Sequence, residues 1–508
     1  MQLCVLSEED LDRIHQATLI VLEKTGVWFR DCPEAHEVFV RGGCTVDNDR
    51  VYIPPGVVAV ALTSVANRNN LAAFFPGLGY ASPLGVKQGE THFGLIGNAY
   101  YIYDFDTGKS RSCVETDVAD KLLILDSLPN FEYDCCNLFS ASERGIGSSM
   151  AFSYLAAADC AAFLRQWVSA RAVSSRKKLP LGTRNCTDEE YRLTILGHAI
   201  LEGIDATETL MRDGSSFPWV NPQSPLQYKA DEARAMIASA QRGAWNQVSP
   251  EVMMGGTGPV TMAGAMVQHN AEVLAGLVLV QLARPKSPYI YGCVSAPMDL
   301  RNAQISQGNF EAALFNAAIV QVADHYGLPT RISPGNTSDP RTGSRALAET
   351  ALGLYMGAAA GGNIITTSLL DSTLMVSYEH MVVVDELINQ IRSITGGILI
   401  DSESLALDAI EEFSRPGNDF IASEHTMQFM QRDVYYSEFC GRIEASFEDY
   451  YERAHRRVKD ILARRNRVEH VEKEVLSRLE GVEARIMEDD STWRTGQGDW
   501  WTSYVRDL

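Results

Sequence analysis

The sequence predicts an α/β protein built on a (β/α)8 TIM-type barrel. In the middle of the chain, short apolar runs alternate with long helical windows, which is the pattern of repeated βα units around a parallel sheet. Doubly wound folds share this alternation but usually carry a G-x-G-x-x-G fingerprint, and Gly255-Gly-Thr-Gly258 does not match it. We expect an N-terminal α+β appendage over residues 1–115, the barrel over 116–445 and a C-terminal helical extension over 446–508.

The appendage is predicted to begin with a helix and to end with a hairpin. Ser7 and Asp10 form an N-cap signature before a helix that Gly26 ends. Tyr100-Tyr-Ile-Tyr-Asp104 is extended and turns at Asp106-Thr-Gly108.

Eight apolar runs are predicted as the barrel strands. They lie near residues 131–139, 179–183, 217–221, 252–256, 289–293, 329–333, 363–368 and 397–400. Helical windows at 264–283, 305–326 and 345–360 separate the later ones. Barrel enzymes keep their chemistry at the carboxyl ends of such strands, so strand-end residues are the site candidates.

The last segment is basic and amphipathic. Between Tyr451 and His470, seven Lys or Arg stand against three Asp or Glu, and apolar residues recur at helical spacing. We expect this helix to pack on its own barrel with the basic face solvated, and contact with a second subunit or an acidic partner is the alternative. Trp493 and Trp500-Trp501 form a tail that we expect to dock on another surface.

Composition excludes several classes of partner. The 65 acidic and 44 basic residues give a net charge of −21, the opposite of what nucleic-acid binding requires. There is no uninterrupted apolar run of membrane-spanning length, and the N-terminus lacks the pattern of a signal peptide, so we expect a cytoplasmic protein without a membrane segment. The ten cysteines include no C-x-x-C pair, which predicts reduced, mostly buried thiols.

Motifs for hydrolysis and phosphoryl transfer are missing. The sequence contains no H-E-x-x-H, no G-x-S-x-G, no Walker loop and no kinase set. The histidines of the later barrel half are not spaced as ligand pairs, so we predict no bound metal and assign each a structural role: His269, His325, His380 and His425. No residue is assigned as a protein nucleophile.

A series of short motifs carries a resemblance to a known family. Thr257-Gly-Pro-Val-Thr261 is followed, after a short apolar stretch, by Asn270-Ala-Glu272. Further motifs come in order along the chain: Tyr289-Ile-Tyr-Gly292, Ala296-Pro-Met-Asp-Leu300, Gly308-Asn-Phe-Glu311 and Asp324-His-Tyr-Gly-Leu-Pro329. With this order and spacing the chain resembles the trimethylamine:corrinoid methyltransferase family, from Ser7 to about Leu462.

The resemblance implies methyl transfer to a corrinoid on a partner protein. Family members move a methyl group from a methylamine to the Co(I) of that corrinoid, so this chain is expected to bind no cofactor tightly. Because Co(I) is the nucleophile, the protein has to position the N-methyl carbon and exclude water, which explains the missing catalytic motifs. The corrinoid-binding protein is expected to cover the barrel mouth and to meet Asp339 and Arg341. Family habit and the apolar side of the C-terminal helix also indicate a homo-oligomer.

One departure from the family prototype bears on the substrate. The prototype carries pyrrolysine in a loop that aligns with Arg331-Ile-Ser-Pro-Gly-Asn-Thr-Ser-Asp-Pro-Arg341, where this chain has ordinary residues. Pyrrolysine is an electrophile that a tertiary amine engages through its lone pair. A quaternary ammonium has no lone pair and already leaves as a neutral amine. The chain therefore resembles the non-pyrrolysine members that act on glycine betaine, and a betaine-type quaternary amine is the expected substrate.

Candidate substrate contacts come from strand ends and from charge. Aromatic rings bind a methylated ammonium ion through their negative faces, at roughly 2 kcal/mol per desolvated contact. The predicted substrate-binding residues are Phe93, Tyr100, Trp219, Asn221, Tyr291, Glu311, Phe315 and Asn336. Forked hydrogen bonds to the substrate carboxylate are assigned to Arg331, Arg341 or Arg345. Core packing is the alternative for each ring, and a surface salt bridge for each arginine.

Two other functions stay open from the sequence alone. One is a corrinoid-dependent methyltransferase for another methyl donor, such as a methylated thio compound or a methoxylated one. The other is a catalytically silent barrel that binds betaines. A neighbouring reading frame for a small corrinoid-binding protein would separate the two enzymes from the silent barrel.

Overall fold

The computed structural model describes residues 3–65, 91–138, 183–184, 196, 199–200, 218–437, 449–463 and 473–488. Its central feature is a sheet of eight strands: His92–Ala99, Phe131–Leu138, Thr183–Arg184, Pro218–Val220, Asn246–Val248, Tyr289–Gly292, Thr330–Gly335 and Ile364–Thr367. Numbered along the chain, they lie in the order 2-1-8-7-6-5-4-3, and every pairing in it is parallel. The eighth strand pairs with the first, Ile364 opposite His92, so the sheet curls back toward its beginning. The predicted (β/α)8 barrel is confirmed.

Three of the strand positions differ from the sequence prediction. The first barrel strand is His92–Ala99, which lies before the boundary expected at residue 116. The fifth strand is Asn246–Val248 and not 252–256. The prediction of a strand at 397–400 is wrong, because these residues form exposed loop, with Gly397 at a φ of 77°. The division of the chain into three domains stays a prediction.

The N-terminal region is α+β and packs on the barrel. Its helices are Glu8–Ile20, Pro33–Arg41 and Pro55–Ser64. Its small sheet combines Val27–Phe29, Thr45–Asp47 and Arg50–Tyr52 with Gln227–Tyr228 from the loop after the fourth barrel strand. The capping box of Ser7 and Asp10 is confirmed, and a π-helical turn leads to Gly26 at a φ of 72°.

Five described helices lie between consecutive barrel strands and a sixth follows the eighth strand: Glu115–Asp126, Ala230–Arg242, Met262–Ala283, Phe310–His325, Ser344–Ala359 and Tyr378–Thr395. By length and hydropathy one described helix, Met262–Ala283, qualifies as a membrane span, and 78% of its apolar window is buried inside the protein. Asn270 in this helix donates to Thr18 at 3.0 Å. The helix is therefore core between the barrel and the N-terminal region.

The C-terminal part packs on the outside of the barrel. The helices Tyr450–Leu462 and Lys473–Glu488 are described, and the Trp493, Trp500 and Trp501 tail lies outside the described residues. The Tyr451 hydroxyl contacts His380 at 2.8 Å, and His455 bridges Glu379 to Asp106. Asp106 lies in the turn of the predicted hairpin, and the hairpin is confirmed. For the described helix, Tyr450–Leu462, the expected packing on its own barrel is confirmed.

Candidate functional site

Two small sheets wall the barrel mouth at the carboxyl ends of the strands. One is built from the loops after the first and eighth strands: Tyr101–Asp104, Lys109–Ser112, Leu369–Leu370 and Met375–Val376. The other joins loops after the fifth and sixth strands: Met253–Met254, Ala296–Asp299 and Gln304–Ile305. Loops at this end carry the chemistry of barrel enzymes, so these two sheets, here called the rim sheets, bound the candidate site.

Hydrogen bonds to the outer helices show which strand residues face the barrel interior. On the sixth strand, Tyr291 donates its hydroxyl to Asn270 of the Met262–Ala283 helix at 3.0 Å, so its ring points outward. Side chains alternate along a strand, so the neighbouring Gly292 faces the interior. Gly292 is paired with Arg331 of the seventh strand, and paired residues of a parallel sheet share a face. The guanidinium of Arg331 therefore enters the barrel.

Arg331 is a buried cation that lies against an aromatic ring. Its guanidinium carbon is 5.5 Å from the centre of the Trp219 ring, and the two residues are 4% and 6% exposed. Trp219 is on the fourth strand and is paired with Gln247 of the fifth, whose side chain shares its face. The contact spans the interior of the barrel. A guanidinium fixed in this way presents forked donors that match a carboxylate.

Further side chains on these strands or directly after them have buried oxygens without a hydrogen-bond partner among the described residues. The oxygens of four of them accept or donate no hydrogen bond within the described part of the chain: Gln247, Ser333, Thr366 and Ser368. Ser333 lies two residues beyond Arg331, and Thr366 is paired with Gly94 of the first strand, which the Tyr133 ring covers. Buried polar groups are nearly always hydrogen-bonded, so this set is suited to a polar ligand or ordered water.

Tyr133 supplies an aromatic ring to the same interior. A Cβ placed on Gly94 would lie 2.5 Å from the Cδ2 atom of this ring, so the ring lies directly over Gly94 of the first strand. Its hydroxyl donates to the carbonyl of Ile365 at 2.6 Å, and the side chain is 3% exposed. Sequence reasoning missed Tyr133, although the glycine opposite an aromatic residue was a usable signal.

The loop after the eighth strand holds a cluster of strained residues. Ser368, Asp371, Ser372 and Thr373 have φ values of 72°, 50°, 49° and 84°, a region that non-glycine residues rarely adopt. Each costs on the order of 1–3 kcal/mol and persists because the surroundings hold it. Here the strained residues are held by backbone hydrogen bonds between their own loop and the loop after the seventh strand. Strain of this kind concentrates at ligand sites.

Glu349 fixes the loop after the seventh strand. Its carboxylate accepts from the Thr337 hydroxyl at 2.5 Å, from the Ser338 backbone N–H at 2.9 Å and from Arg345 at 2.7 Å. Gly308 packs against this arrangement so closely that a Cβ there would collide with the Glu349 carboxylate. The Gly308 motif is therefore explained by close approach of two mouth loops.

Three of the predicted rings lie outside the barrel. Phe93 lies 5.4 Å under the Arg392 guanidinium near the amino end of the first strand. Phe315 meets the ring of His269 edge-on at 6.0 Å between outer helices, and Tyr291 faces Asn270. A cage built from Phe93, Tyr291 and Phe315 therefore does not form. These rings belong to the apolar layer between strands and helices, which a barrel buries as fully as its interior.

The other predicted residues divide between the mouth and the surface. Tyr100 and Asn221 are half-buried and directly follow the first and fourth strands. Asn336 is fully buried and binds the neighbouring loops through Gln307 and the Leu369 N–H. Four residues sit toward solvent or in surface ion pairs: Glu311, exposed; Arg341, 73% exposed; Arg345, 58% exposed and paired with Glu349; and Asp339, paired with Arg341 at 3.8 Å.

The buried thiol and imidazole near the site are not poised for nucleophilic chemistry. Burial raises the pKa of Cys293, which follows the sixth strand, to about 12, although Arg331 opposes this shift. Burial lowers the pKa of His269 to about 3, so the ring is neutral where it meets Ser295 at 2.9 Å. Among the described residues, no group of His, Cys, Asp and Glu side chains is placed to hold a metal ion. The site is built for binding and positioning.

The family of the chain is decided by comparison with a family model. The model for trimethylamine methyltransferase (MTTB) matches residues 1–136 and 194–486, which is most of the chain. The chain belongs to this family. It is a methyltransferase, as the resemblance in its motifs implied.

Relatives with named activities extend over nearly the whole chain. Trimethylamine methyltransferase MttB of Methanosarcina thermophila is 28% identical over 85% of this chain and 86% of its own length. Glycine betaine methyltransferase of Desulfitobacterium hafniense is 28% identical over 90% and 92%. Among solved structures, the monomethylamine methyltransferase MtmB of Methanosarcina barkeri aligns with a TM-score of 0.44 at 11% identity, over 89% of this chain and 92% of that one.

In this methyltransferase the Asn270-Ala-Glu272 motif has a packing role. Asn270 bonds Thr18, Tyr326 and Tyr291. The Glu272 carboxylate accepts from the Ser224 hydroxyl and the Leu226 N–H, both at 2.8 Å. The motif thus joins the N-terminal helix, the barrel and the loop after the fourth strand.

Proposed function

We propose that this methyltransferase demethylates a quaternary amine that carries a carboxylate, of the glycine betaine type, and delivers the methyl group to a corrinoid on a partner protein. The observation that carries the proposal is the buried Arg331 guanidinium, held against Trp219 inside the barrel. An amine without an anionic group offers no acceptor that matches the forked donors of this cation. A betaine has both charges in one small molecule, and its carboxylate pairs with Arg331.

The opposite end of the substrate is assigned to Tyr133. The face of the Trp219 ring that meets Arg331 is covered by the guanidinium, so a second ring has to receive the methylated ammonium. Tyr133 lies over Gly94 at the interior surface and is the ring we assign to this contact. The unpartnered oxygens of Gln247, Ser333 and Thr366 would orient the substrate between the two ends.

The missing electrophile supports a quaternary substrate. The loop from Arg331 to Arg341, which aligns with the pyrrolysine loop of the family prototype, contains ordinary residues. A quaternary ammonium needs no activation, because it leaves as a neutral amine when its methyl carbon is attacked.

The corrinoid partner fits the chemistry of the described interior. The Co(I) of a corrinoid supplies the nucleophile when its carrier is bound. This chain contributes no thiolate at Cys293, whose pKa burial raises to about 12. The rim sheets exclude water, and Arg331 orients the substrate so that an N-methyl carbon faces the mouth. The carrier is proposed to cover that mouth and to touch Asp339 and Arg341, and the reaction is proposed to take place in the cytoplasm.

A panel of methyl donors incubated with cob(I)alamin tests the proposal, with methylcobalamin formation followed by absorbance. We expect turnover of glycine betaine or another carboxylated quaternary amine and none of trimethylamine or choline. Choline is the matched control, since it keeps the quaternary ammonium and replaces the carboxylate. If choline and glycine betaine were demethylated at equal rates, Arg331 would not bind the substrate carboxylate. Turnover of trimethylamine would overturn the argument from the missing pyrrolysine.

A further inference from the structure

Gln247 of the fifth strand presents an unpaired amide oxygen to the barrel interior. Its side chain is 1% exposed and lies on the interior face, because Gln247 is paired with Trp219. The amide nitrogen donates to the Ser249 hydroxyl at 2.9 Å, whereas the Oε1 atom is buried and accepts no hydrogen bond in the described part of the chain. Buried polar atoms are nearly always paired, so this oxygen is suited to a ligand.

The hydroxyl that holds Gln247 fits only because residue 292 is a glycine. A Cβ at Gly292 would collide with the Ser249 side chain and lie 2.8 Å from the Val248 carbonyl. Ser249 itself is fully buried. The glycine of the Tyr289-Ile-Tyr-Gly292 motif is thus explained by close approach, and the serine that it admits fixes one end of the Gln247 amide.

Gln247 lies at the level of Arg331 in the barrel. In an eight-stranded barrel of this fold, the hydrogen-bonded rows climb by about one residue per strand. The direction of the climb is given by Trp219, whose row reaches the seventh strand at Pro329 and whose ring meets Arg331, two residues further on. Two strands back from Arg331, its row reaches Ser249, and correction for the climb leads to Gln247.

Gln247 faces the Tyr133 ring across the interior. Two strands from Arg331 in the other direction, its row reaches His92, and the same correction leads to Gly94, which the Tyr133 ring covers. The fifth strand is four positions from the first in the sheet order, which is half-way around eight strands. The ring and the amide oxygen therefore lie on opposite walls, with Arg331 on the wall between them.

An unpaired carbonyl oxygen at this place suits the cationic end of a substrate. The carboxylate end is assigned to Arg331, and a second oxygen acceptor would repel it. The positive charge of a quaternary ammonium is spread over its methyl groups, and one ring contacts them from one side only. A carbonyl oxygen on the other side accepts weak C–H hydrogen bonds from the same methyl groups.

We propose that Gln247 contacts the cationic end of the substrate from the side opposite Tyr133, and that Ser249 is the positioning residue that aims its carbonyl. The inference rests on the proposed function, because it takes a carboxylated quaternary amine as the ligand. The ring and the carbonyl hold the ammonium from two sides, which leaves an N-methyl group facing the mouth.

Isothermal titration of the full chain with two compounds of the same shape tests this inference. One is glycine betaine, and the other is tert-butylacetic acid, ionised at neutral pH, in which carbon replaces the nitrogen and the positive charge is absent. Gln247→Met keeps the length of the side chain and removes its carbonyl. We expect Kd for glycine betaine to rise about threefold to tenfold and Kd for the uncharged isostere to stay unchanged.

The two compounds separate a contact with the cation from a structural effect. If the wild type bound glycine betaine and Gln247→Met bound it equally well, or if Kd rose equally for both compounds, the inference would be wrong and the proposed function would stand. If the wild type did not bind glycine betaine, the proposed function would fail, and this inference would fail with it.

Ser249→Ala tests the positioning role. It leaves the Gln247 carbonyl in place but frees the amide, so Kd for glycine betaine should rise by less than in Gln247→Met. Because Ser249 acts through Gln247, the double variant should bind like Gln247→Met alone. Losses that add in the double variant would contradict the positioning role.

Asn246→Leu is the matched control, one residue away on the same strand. Asn246 is fully buried and is paired with Tyr289, whose hydroxyl donates to the Val273 carbonyl of an outer helix at 2.8 Å, so its side chain lies on the other face. This variant should keep the wild-type Kd for glycine betaine, and its melting temperature shows that the strand is intact. A rise as large as in Gln247→Met would reduce the effect to a general disturbance of the strand and overturn the inference.

Discussion

The guanidinium of Arg331 lies 5.5 Å from the centre of the Trp219 ring, on a strand three positions away from it in the barrel sheet. The pair spans the interior, so the ring and the cation fix one another where the substrate is proposed to bind. A carboxylate that enters beside the buried guanidinium would gain a charge-assisted contact with its forked donors. The proposed binding of an anionic substrate rests on this position of the guanidinium.

Replacing Arg331 with Lys removes the forked donors and keeps the charge. We expect KM for a betaine to rise about tenfold to hundredfold, since a charge-assisted hydrogen bond contributes roughly 1.5–3 kcal/mol. Steady-state kinetics with cob(I)alamin measures it. Arg341→Lys is the matched control, because that side chain is 73% exposed, and its KM should not change. A similar KM for both variants would contradict the assignment.

Trp219→Leu removes the surface on which Arg331 lies and keeps an apolar residue. The freed guanidinium should lose its orientation, which raises KM for the betaine by about tenfold for each ~1.4 kcal/mol lost. Tyr291→Phe is the contrasting variant, because the Tyr291 ring lies outside the barrel and only its bond to Asn270 is lost. That change should lower the melting temperature and leave KM unchanged. The reverse pattern would place Tyr291 in the site.

The strand count was predictable from sequence, but two strands were placed wrongly for a physical reason. The fifth strand, Asn246–Val248, buries Asn246 and Gln247 completely or nearly so, and a polar strand is not detected as an apolar run. The more apolar residues 252–256 that follow it were predicted as the strand instead. The first strand was missed because Gly94 and Gly97 interrupt it. Gly94 is needed for close approach of the Tyr133 ring, and Gly97 for close approach of Leu369 in the loop after the eighth strand.

The hydrophobic pattern of the sequence did not predict whether an individual strand side chain points into the barrel or toward the outer helices. Both faces of a barrel strand are buried, so hydrophobicity does not distinguish Tyr291, which faces a helix, from Arg331, which faces the interior. The strand register and the hydrogen bonds to the outer helices decide on which face each residue lies. The charge of Arg331 at a strand position was the best sequence signal, because an arginine within a buried strand requires a specific partner.

Gly308→Ala should destabilise the mouth loops. A Cβ at this position would meet the Glu349 carboxylate and lie 2.6 Å from the Ser338 nitrogen, so the carboxylate has to give up its bonds or the backbone has to move. We expect a loss of roughly 1–3 kcal/mol in the free energy of unfolding, followed by chemical denaturation. Gly481→Ala, in a helix with nothing within 4 Å, is the control and should be neutral or slightly stabilising. Equal effects would mean that the contact is easily relieved.

Glu272 should make the protein less stable as pH rises. Burial raises its pKa from 4.5 to about 7, so the folded protein holds a proton that the unfolded chain has lost. Its favourable contribution is complete below pH about 4.5 and is lost as pH rises through 7, on the order of 3 kcal/mol at 1.36 kcal/mol per unit. Denaturation midpoints across this window measure it. Glu272→Gln should flatten the slope, and exposed Glu311→Gln should not. A slope that Glu272→Gln leaves intact would assign the pH dependence elsewhere.

The contact with the corrinoid carrier is tested by Arg341→Glu. Arg341 lies in the loop after the seventh strand, beside the mouth that the carrier is proposed to cover, and its side chain is 73% exposed. Rim charges mainly set the association rate and its salt dependence, so the variant should slow methyl transfer to carrier-bound corrinoid severalfold and change its salt dependence. Transfer to free cob(I)alamin needs no docking surface and should keep its rate.

Asp339→Lys is a less clean probe of that contact, because Asp339 also accepts from the Arg341 backbone and its carbonyl holds the strained Asp371. It should therefore reduce transfer to both acceptors, and the loss with carrier-bound corrinoid should be the larger. If Arg341→Glu reduced both rates by the same factor, the loop would belong to the substrate pocket and the carrier would have to dock on the rim sheets instead.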